Sequence, residues 1–424
     1  MFRFNFFQKV VSLKQRSVDR KQTGDTSNCR SPNHNEMLEL SSDTGIEETN
    51  EGIEERLPVR NIVLNAQLSE QISIIHIELL GSEKLIITSY QDENVDLKTI
   101  IAIPIAMSDL LIKGIKEDEI VSRTREYSDN NMKQFSDWFT EKIKGHGNNF
   151  CIIINDYTDL NISWEFMPLP RTEKTGCIYG DMPIGAVVKM ARWIPEIQHS
   201  AEALKLNIID EIVEGKIIAY LDHEPDLNTD VEKEILKKFN TEPYQEFEDL
   251  KTELTNSTQN IGLFYVATHG YIEDDGFGKT TIKSSISEND PLSCHKLYNY
   301  RYIEHTSRPV VWINACNAAC MFHHGENRHG WPKGFLKRVA RAFMGTICGV
   351  GDKCASDMAA SFLDVLYENP DGVCISELLT KLRYEAFRRL QENDSEENYS
   401  YFVFVCMYVL YGNPLIRLKL LRPI

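Results

Sequence analysis

The pattern of apolar and polar positions predicts an alternation of strands and helices from about residue 60 onward. Short runs rich in β-branched and aromatic residues predict buried strands, and apolar residues at helical spacing predict amphipathic helices. The predicted strands are QISIIHIELL (71–80), KLIITSY (84–90), NFCIIIND (149–156), KIIAYLDHE (216–224), IGLFYVATHG (261–270), PVVWINAC (309–316), GTICGVG (345–351) and YFVFVCMYVLYG (401–412). The predicted helices are MKQFSDWFTEKIKG (132–145), DVEKEILKKF (230–239), GFLKRVARAFM (334–344), SDMAASFLDVLYEN (356–369) and SELLTKLRYEAFRRLQEN (376–393).

This alternation predicts an α/β fold, in which a mostly parallel sheet carries helices on both faces. The first two strands, separated by Gly-Ser-Glu, are predicted to pair as a hairpin, and Ser356 is predicted to cap the helix that follows it. In parallel sheets, ligand chemistry collects at the carboxyl ends of the strands. Two strands have unusual polar ends, ATHG at 267–270 and INAC at 313–316. These two ends are therefore the first candidates for a functional site.

Residues 1–58 lack the pattern of a folded core and are predicted to form a flexible N-terminal extension. Residues 22–58 are polar, acidic and free of aromatic residues, which is typical of a linker. Residues 1–21 combine four phenylalanines with six basic residues. Two interpretations of this arm are left open: a disordered start, or an amphipathic arm that makes a weak contact with a membrane or a partner.

Composition narrows the partners that the 424 residues are expected to bind. Lys and Arg total 46 against 63 Asp and Glu, which gives a formal net charge of −17. Because affinity for nucleic acid depends on neutralising phosphates, direct binding of nucleic acid is not expected. The ten cysteines lie at irregular positions, several inside apolar runs, which is typical of reduced thiols in a cytoplasmic protein. No apolar run approaches the ~20 residues of a membrane-spanning helix.

His269 and Cys316 lie at the two polar strand ends and together predict a nucleophile with its base. A free thiol with a pKa near ~8.5 is mostly protonated at neutral pH, although cysteine attacks as a thiolate. An imidazole within hydrogen-bond reach can take that proton and return it to the leaving amine. Gly270 has no Cβ, so its N–H can face a developing oxyanion, with the Cys316 N–H as a second donor. Taken singly, each residue is better explained as a packed thiol or a hydrogen-bonded strand terminus, but the pair favours catalysis.

A zinc site is the main chemical alternative around Cys316. The candidate ligands follow the pattern C-x3-C-x2-H-H-x4-H, and zinc accepts thiolate and imidazole ligands. They are Cys316, Cys320, His323, His324 and His329. The sequence offers no second pair of cysteines, and the segment HHGENRHG is polar and glycine-bearing, as expected of a mobile loop. We therefore expect neither a metal nor another cofactor.

Six segments between about 60 and 420 resemble, in the same order, the CHAT branch of the caspase-like cysteine peptidases, which are relatives of caspases, metacaspases, gingipains and separase. They are NFCIIINDYTDLNISWEFMPLP, CIYGDMPIGAVVKMARWIP, VATHGY, WINACNAAC, AFMGTICGVGDKCASDMAASFLDVLY and VLYGNPLIRL. The separation of His269 and Cys316, 316 − 269 or 47 residues, is also close to the ~50 residues found in caspases. Several matches in one order are more specific than any single motif.

Carried over to this chain, the resemblance implies His269 as general base and acid and Cys316 as nucleophile. It implies the backbone N–H groups of Gly270 and Cys316 as the oxyanion hole. Asp352 falls where an acidic residue commonly sits in the family, which makes it a candidate for the S1 pocket and for a preference for basic P1 residues. The alternative for Asp352, an aspartate that only supports the loop or helix entry near Ser356, is left open.

The resemblance also implies a large caspase-type sheet built from two halves. Residues 59–205 would form a degenerate N-terminal half and residues 206–424 the catalytic half, with the junction in the turn-rich stretch 196–215. Trp164 and Glu165 are implied as structural members of a corner in the N-terminal half.

The implied function is a cysteine endopeptidase that cleaves a specific protein through an acyl-enzyme. The family setting implies a regulated system of bacterial defence or cell death, antiviral defence included. Because a fold does not determine a function, a catalytically silent scaffold or sensor that binds a partner through the same pocket is the alternative. Many relatives carry fused sensor domains, and no such domain is expected from the pattern of this sequence. We therefore expect the trigger to be a separate partner or ligand, the N-terminal arm or dimerisation.

Overall fold

The computed structural model describes residues 71–422 except for short stretches within that range. The stretches left out are 92–93, 107–109, 112, 159, 176–177, 195–209, 223–226, 228, 247–248, 251, 254–258, 274–278, 284–291, 294–306 and 325–326. The predictions for residues 1–58 and for most of the junction at 196–215 lie outside the described residues, and the division into two halves stays a prediction. All described residues belong to one compact unit. None of the described helices is long and apolar enough to cross a membrane.

Strands and helices alternate along most of the described chain. In chain order, strands β1–β17 are Ile72–Leu80, Lys84–Gln91, Asn94–Ala102, Cys151–Asp156, Lys189–Trp193, Glu211–Leu221, Ile261–Ala267, His269–Glu273, Lys279–Lys283, Leu292–Ser293, Val310–Asn314, Phe322–His324, Asn327–His329, Ala342–Thr346, Val373–Cys374, Tyr408–Gly412 and Ile416–Leu420. Helices α1–α9 are Glu117–Asn131, Lys133–His146, Thr172–Thr175, Ile184–Val187, Asp230–Lys238, Trp331–Arg338, Asp352–Glu368, Ile375–Glu392 and Glu396–Val405.

A large mixed sheet organises the fold. Its twelve strands run in the order β15-β17-β6-β7-β11-β14-β16-β5-β4-β1-β2-β3. Most neighbours are parallel, including β6–β7, β7–β11 and β11–β14 in the middle of the sheet. The predicted β1–β2 hairpin is confirmed as an antiparallel pair. The predicted α/β class with a mostly parallel sheet is therefore confirmed.

Helices cover both faces of the central strands, as the sequence pattern predicts. Trp312 of β11 packs against Phe362 of α7, with ring centroids 4.9 Å apart. In the register of the sheet Trp312 pairs with Met344 of β14, so the residue before Met344, Phe343, points to the opposite face. There Phe343 stacks on Phe335 of α6 at 5.8 Å. Helices α7 and α6 thus bury the two faces, which explains why every residue of β7, β11 and β14 is buried and most of them are apolar.

Helix α7 begins at Asp352, one turn before the predicted cap at Ser356. Gly351 supplies the extended residue that precedes the helix. Ser356 is instead buried inside the helix, where its hydroxyl donates a 2.6 Å hydrogen bond to Glu232. A serine before an apolar run is typical of a cap, but this serine satisfies a buried carboxylate. The prediction that Ser356 caps the helix, with Asp352 before it, is therefore wrong.

Two further boundaries differ from the sequence prediction. The run 401–412 is not one strand, because its first half completes helix α9 and only Tyr408–Gly412 is a strand. The helix predicted at 334–344 ends at Arg338, and its last residues form β14, which replaces the strand predicted at 345–351. The first error arises because a run buried on all sides shows neither helical nor strand periodicity.

A buried ion pair fastens the corner after β4 to strand β5. Arg192 donates from Nε to Glu165 at 2.9 Å, from Nη2 to the second oxygen of the same carboxylate, and from Nη2 to the Ile162 carbonyl at 2.7 Å. Both side chains are almost completely buried. Burial by itself lowers the pKa of Arg192, but the charge and hydrogen bonds of Glu165 outweigh it and raise the pKa. Trp164 beside this pair is also buried, so both corner residues serve the structure.

Replacing Arg192 by Met should lower the free energy of unfolding by about 3–5 kcal/mol, because the Glu165 carboxylate would stay buried without its partner. Urea unfolding measures this change. The control is Arg388→Met, which removes an exposed arginine that also has two carboxylate contacts and should have little effect. An equal loss of unfolding free energy in the two variants would show that the buried pair stabilises the fold no more than the exposed one.

Candidate active site

His269 and Cys316 lie at the same end of two neighbouring parallel strands. Strands β7 and β11 pair in parallel, and their last pair in register is Ala267 with Asn314. His269 and Cys316 each lie two residues beyond that pair, so they follow adjacent strands whose spacing is about 4.8 Å. The Thr268 N–H still bonds the Asn314 carbonyl at 3.4 Å. Both candidate residues are partly exposed, whereas the strand residues before them are buried.

The backbone of Gly270 lies directly against the backbone of Cys316. A Cβ on residue 270 would lie 2.0 Å from the carbonyl oxygen of Cys316, 2.9 Å from its carbonyl carbon and 3.0 Å from its nitrogen. Side chains do not fit at such distances, so the close approach requires glycine. The contact holds the segment that follows His269 against Cys316.

Cys316 is presented by a tight turn that follows β11. Asn317 adopts a φ of 59°, in the left-handed region that asparagine tolerates better than most residues. Its N–H donates to the Cys348 carbonyl at 3.1 Å, and the Thr346 hydroxyl donates to the Ala315 carbonyl at 2.7 Å. The chain around β14 thus holds the turn in place. A strained residue beside a reactive group is typical of functional sites.

The sulfur of Cys316 faces the start of helix α7. The Val350 N–H is a donor 3.4 Å from Sγ, and the thiol lies 3.7 Å from the Val350 carbonyl oxygen. Burial raises the pKa of the Cys316 thiol, the Val350 hydrogen bond lowers it, and the charge of Asp352 raises it again. The net pKa is higher than that of an ordinary thiol. Cys316 is therefore neutral at neutral pH and needs a base in order to react.

Asp352, the first residue of α7, makes this side of the site acidic. Its charge is close enough to raise the pKa of Cys316. The ammonium group of the neighbouring Lys353 lies 2.8 Å from the Asp357 carboxylate and 3.0 Å from that of Glu397. Lys353 is thus engaged by one carboxylate of α7 and one of α9.

The thiol of Cys320, the cysteine nearest to Cys316 in the sequence, contacts the backbone that follows β14. Cys320 is buried, its thiol lies 3.2 Å from the Ile347 carbonyl oxygen, and burial raises its pKa to about 12. Among the side chains that the structure describes, no group of three or more His, Cys, Asp or Glu is arranged to hold a metal ion. The side chains of His323 and His324 lie outside that set.

Asp222, which the sequence pattern did not single out, anchors the segment that carries His269. Asp222 follows β6 and is fully buried; its carboxylate accepts a 2.8 Å hydrogen bond from the Thr268 hydroxyl, and its N–H donates to the Ala267 carbonyl at 2.9 Å. Since Thr268 directly precedes His269, these bonds tie the candidate base to β6. The available signal was the polar ending of KIIAYLDHE, because parallel strands end at the same edge of a sheet.

Comparisons with known proteins give likenesses at low identity. No family model matches the chain, and no curated protein matches it. The Arg-specific cysteine proteinase gingipain R (RgpB) is 12% identical with a TM-score of 0.44, and the match covers 74% of this chain and 77% of that chain. The Saccharomyces cerevisiae separase–securin complex gives 10% identity and a TM-score of 0.48, over 83% of this chain and 31% of that chain. The complex of the Porphyromonas gingivalis RgpB pro- and mature domains gives 11% identity and a TM-score of 0.42, and the match covers 76% of this chain and 80% of that chain.

Replacing Gly270 by Ala should lower the free energy of unfolding by about 1–3 kcal/mol or more, because the new Cβ would overlap the Cys316 carbonyl. Iodoacetamide alkylation of Cys316, followed by mass spectrometry, should change as well, since the two strand ends must separate. The matched control is Gly145→Ala in helix α2, where a Cβ meets nothing within 4 Å. If Gly270→Ala keeps the stability and the alkylation rate of the wild type, the close contact does not exist in solution.

Proposed function

We propose that this protein is a cysteine endopeptidase in which His269 and Cys316 act as a dyad. The observation that carries the proposal is the contact between the Gly270 and Cys316 backbones at the carboxyl ends of two parallel strands. Three features lie at that contact: the partly exposed thiol of Cys316, the strand end that carries the His269 imidazole, and the backbone N–H groups of Gly270 and Cys316. A protein that only binds a partner has no need of this combination.

In the proposed reaction, His269 takes the proton of the Cys316 thiol as the sulfur attacks the carbonyl carbon of the scissile peptide bond. The carbonyl electrons move to oxygen, and the N–H groups of Gly270 and Cys316 stabilise the oxyanion. When the intermediate collapses, the C–N bond breaks and His269 protonates the leaving amine, which leaves a thioester on Cys316. A water molecule, deprotonated by His269, then releases the new carboxylate and restores the thiol.

The resemblance of six sequence segments to CHAT-type peptidases supports a narrower form of the proposal. In this form the enzyme acts in the cytoplasm, cleaves one specific protein, and belongs to a regulated system of bacterial defence or cell death. A separate protein or ligand would trigger it.

The substitutions Cys316→Ala and His269→Ala should each lower kcat at least about a thousandfold, and the double variant should be no worse, because nucleophile and base act as a unit. Cleavage of a peptide library, read by mass spectrometry, measures the loss. The control is Cys354→Ala, which removes another partly exposed cysteine, in helix α7, and should keep most of the activity.

Two outcomes would favour the alternatives. Cleavage that persists in Cys316→Ala would contradict the peptidase, and a wild type that cleaves nothing and resists thiol-directed peptide probes would favour a scaffold. Chelators should leave activity unchanged. Loss of folding in EDTA would support a zinc site instead.

We propose further that Asp352 lines the S1 pocket and favours a basic P1 residue, with uncharged P1 residues as the alternative. Its position at the start of α7, beside the Cys316 sulfur, supports this assignment. So does the engagement of the neighbouring Lys353 by two other carboxylates, those of Asp357 and Glu397. A basic substrate side chain would form a charge-assisted hydrogen bond there.

Replacing Asp352 by Asn should lower kcat/KM for peptides with Arg at P1 by about tenfold to a hundredfold, and should spare peptides with small apolar P1 residues. A less reactive thiol cannot explain such a loss, because removal of the Asp352 charge lowers the pKa of Cys316. The control is Asp357→Asn, one turn further along α7. Equal losses for both peptide classes would show that Asp352 only supports the loop.

A further inference from the structure

A chain of buried polar side chains lies behind Cys316, between helix α7 and three strands of the sheet. Its members, which are 4% exposed or less, are Glu232 of α5, Tyr265 of β7, Asn314 of β11, Ser356 of α7 and Tyr408 of β16. Burying polar groups costs free energy unless each is hydrogen bonded. These five side chains can therefore be buried together because they hydrogen bond to one another.

Asn314 joins the strand of Cys316 to helix α7. Its Nδ2 donates to the Tyr265 hydroxyl at 3.0 Å and to the Ala355 carbonyl of α7 at 3.3 Å. Its Oδ1 accepts from the Tyr408 hydroxyl at 2.6 Å. Asn314 lies two residues before Cys316, near the end of β11. A shift of α7 along β11 would therefore strain the hydrogen bonds of a side chain close to the nucleophile.

Glu232 holds the same helix from α5. It accepts from the Ser356 hydroxyl at 2.6 Å and from the Tyr265 hydroxyl at 3.4 Å. Burial raises the pKa of Glu232, the Ser356 hydrogen bond lowers it, and the Asp352 charge raises it. Tyr265 is the centre of the chain, since it accepts from Asn314 and donates to Glu232.

The backbone just before α7 contacts the sulfur of Cys316. The Val350 N–H, 3.4 Å from Sγ, favours the thiolate, and so does the positive end of the helix. Apolar contacts such as Phe362 on Trp312 hold α7 on the sheet, but hydrophobic burial is not directional. Hydrogen bonds depend steeply on distance and angle, so they fix the position of α7 along the sheet, which apolar contacts alone do not.

We infer that Tyr265, Asn314 and Ser356 are positioning residues that fix the start of α7 against Cys316 and thereby set the reactivity of its thiol. They act through helix α7 and the Val350 N–H rather than on the substrate. The inference deepens the proposed function and rests on it only in taking Cys316 as the reactive thiol.

The test is the rate of Cys316 alkylation by iodoacetamide as a function of pH, resolved by mass spectrometry, in wild type, Tyr265→Phe and Ser356→Ala. Both substitutions remove a hydroxyl and keep the rest of the side chain. We expect each to slow alkylation at neutral pH about fivefold, the effect of one typical hydrogen bond. The midpoint should move to higher pH, because a weaker Val350 contact removes an interaction that lowers the pKa of Cys316.

Tyr127→Phe and Ser128→Ala are the matched controls. Their hydroxyls donate to the carbonyls of Ala102 and Pro168, outside the polar chain, so both variants should alkylate at the wild-type rate. Thermal unfolding checks that every variant is folded. If Tyr265→Phe and Ser356→Ala lose stability but keep the wild-type rate and midpoint, the chain is only structural and the inference is overturned.

Alkylation needs no substrate, so this result is separate from the fate of the proposed function. A wild type that cleaves no peptide, but whose thiol responds to Tyr265→Phe, would contradict the peptidase and support the positioning chain. Cleavage that depends on Cys316, together with alkylation that ignores both hydroxyl deletions, would support the peptidase and overturn the inference.

Discussion

The approach of the Gly270 backbone to the Cys316 backbone is the constraint on which the rest of the site depends. Two strand ends can meet this closely only if β7 and β11 are parallel neighbours in one register. That register is enforced by burial, since every residue of both strands is buried and a slip by one residue would exchange their faces. The packing of the central sheet therefore determines where Cys316 and the strand end that carries His269 lie.

The central strands could be predicted from the sequence for a definite physical reason. Strands β7 and β11 are buried on both faces, so each is an unbroken apolar run, and a polar residue marks its end. The same burial defeated the prediction at 401–412, where a buried helix and a buried strand adjoin without a polar break. Strand β3 was missed because Thr99 lies on its buried face and interrupts the apolar pattern.

Some features of the candidate site could likewise be predicted from the sequence, and others could not. The positions of His269, Gly270 and Cys316 at the ends of neighbouring strands could be predicted, because chemistry-bearing residues there follow apolar runs; their roles stay a prediction. The hydrogen bonds of Tyr265 and Asn314 could not, because a polar residue inside a buried strand reveals its partners only when distant segments come together. Asp352 could be chosen by its charge, but its place at the start of α7 depends on how Gly351 and a buried serine shape that helix.

The raised pKa of Cys316 also affects how the resting protein reacts with oxidants. Peroxides and other oxidants attack thiolates, and susceptible cysteines are those with thiolate character and access to solvent. A thiol that burial and the Asp352 charge keep protonated resists conversion to sulfenic acid. In the proposed reaction, the thiol would thus be preserved through oxidative stress until a bound substrate and the His269 imidazole remove its proton together.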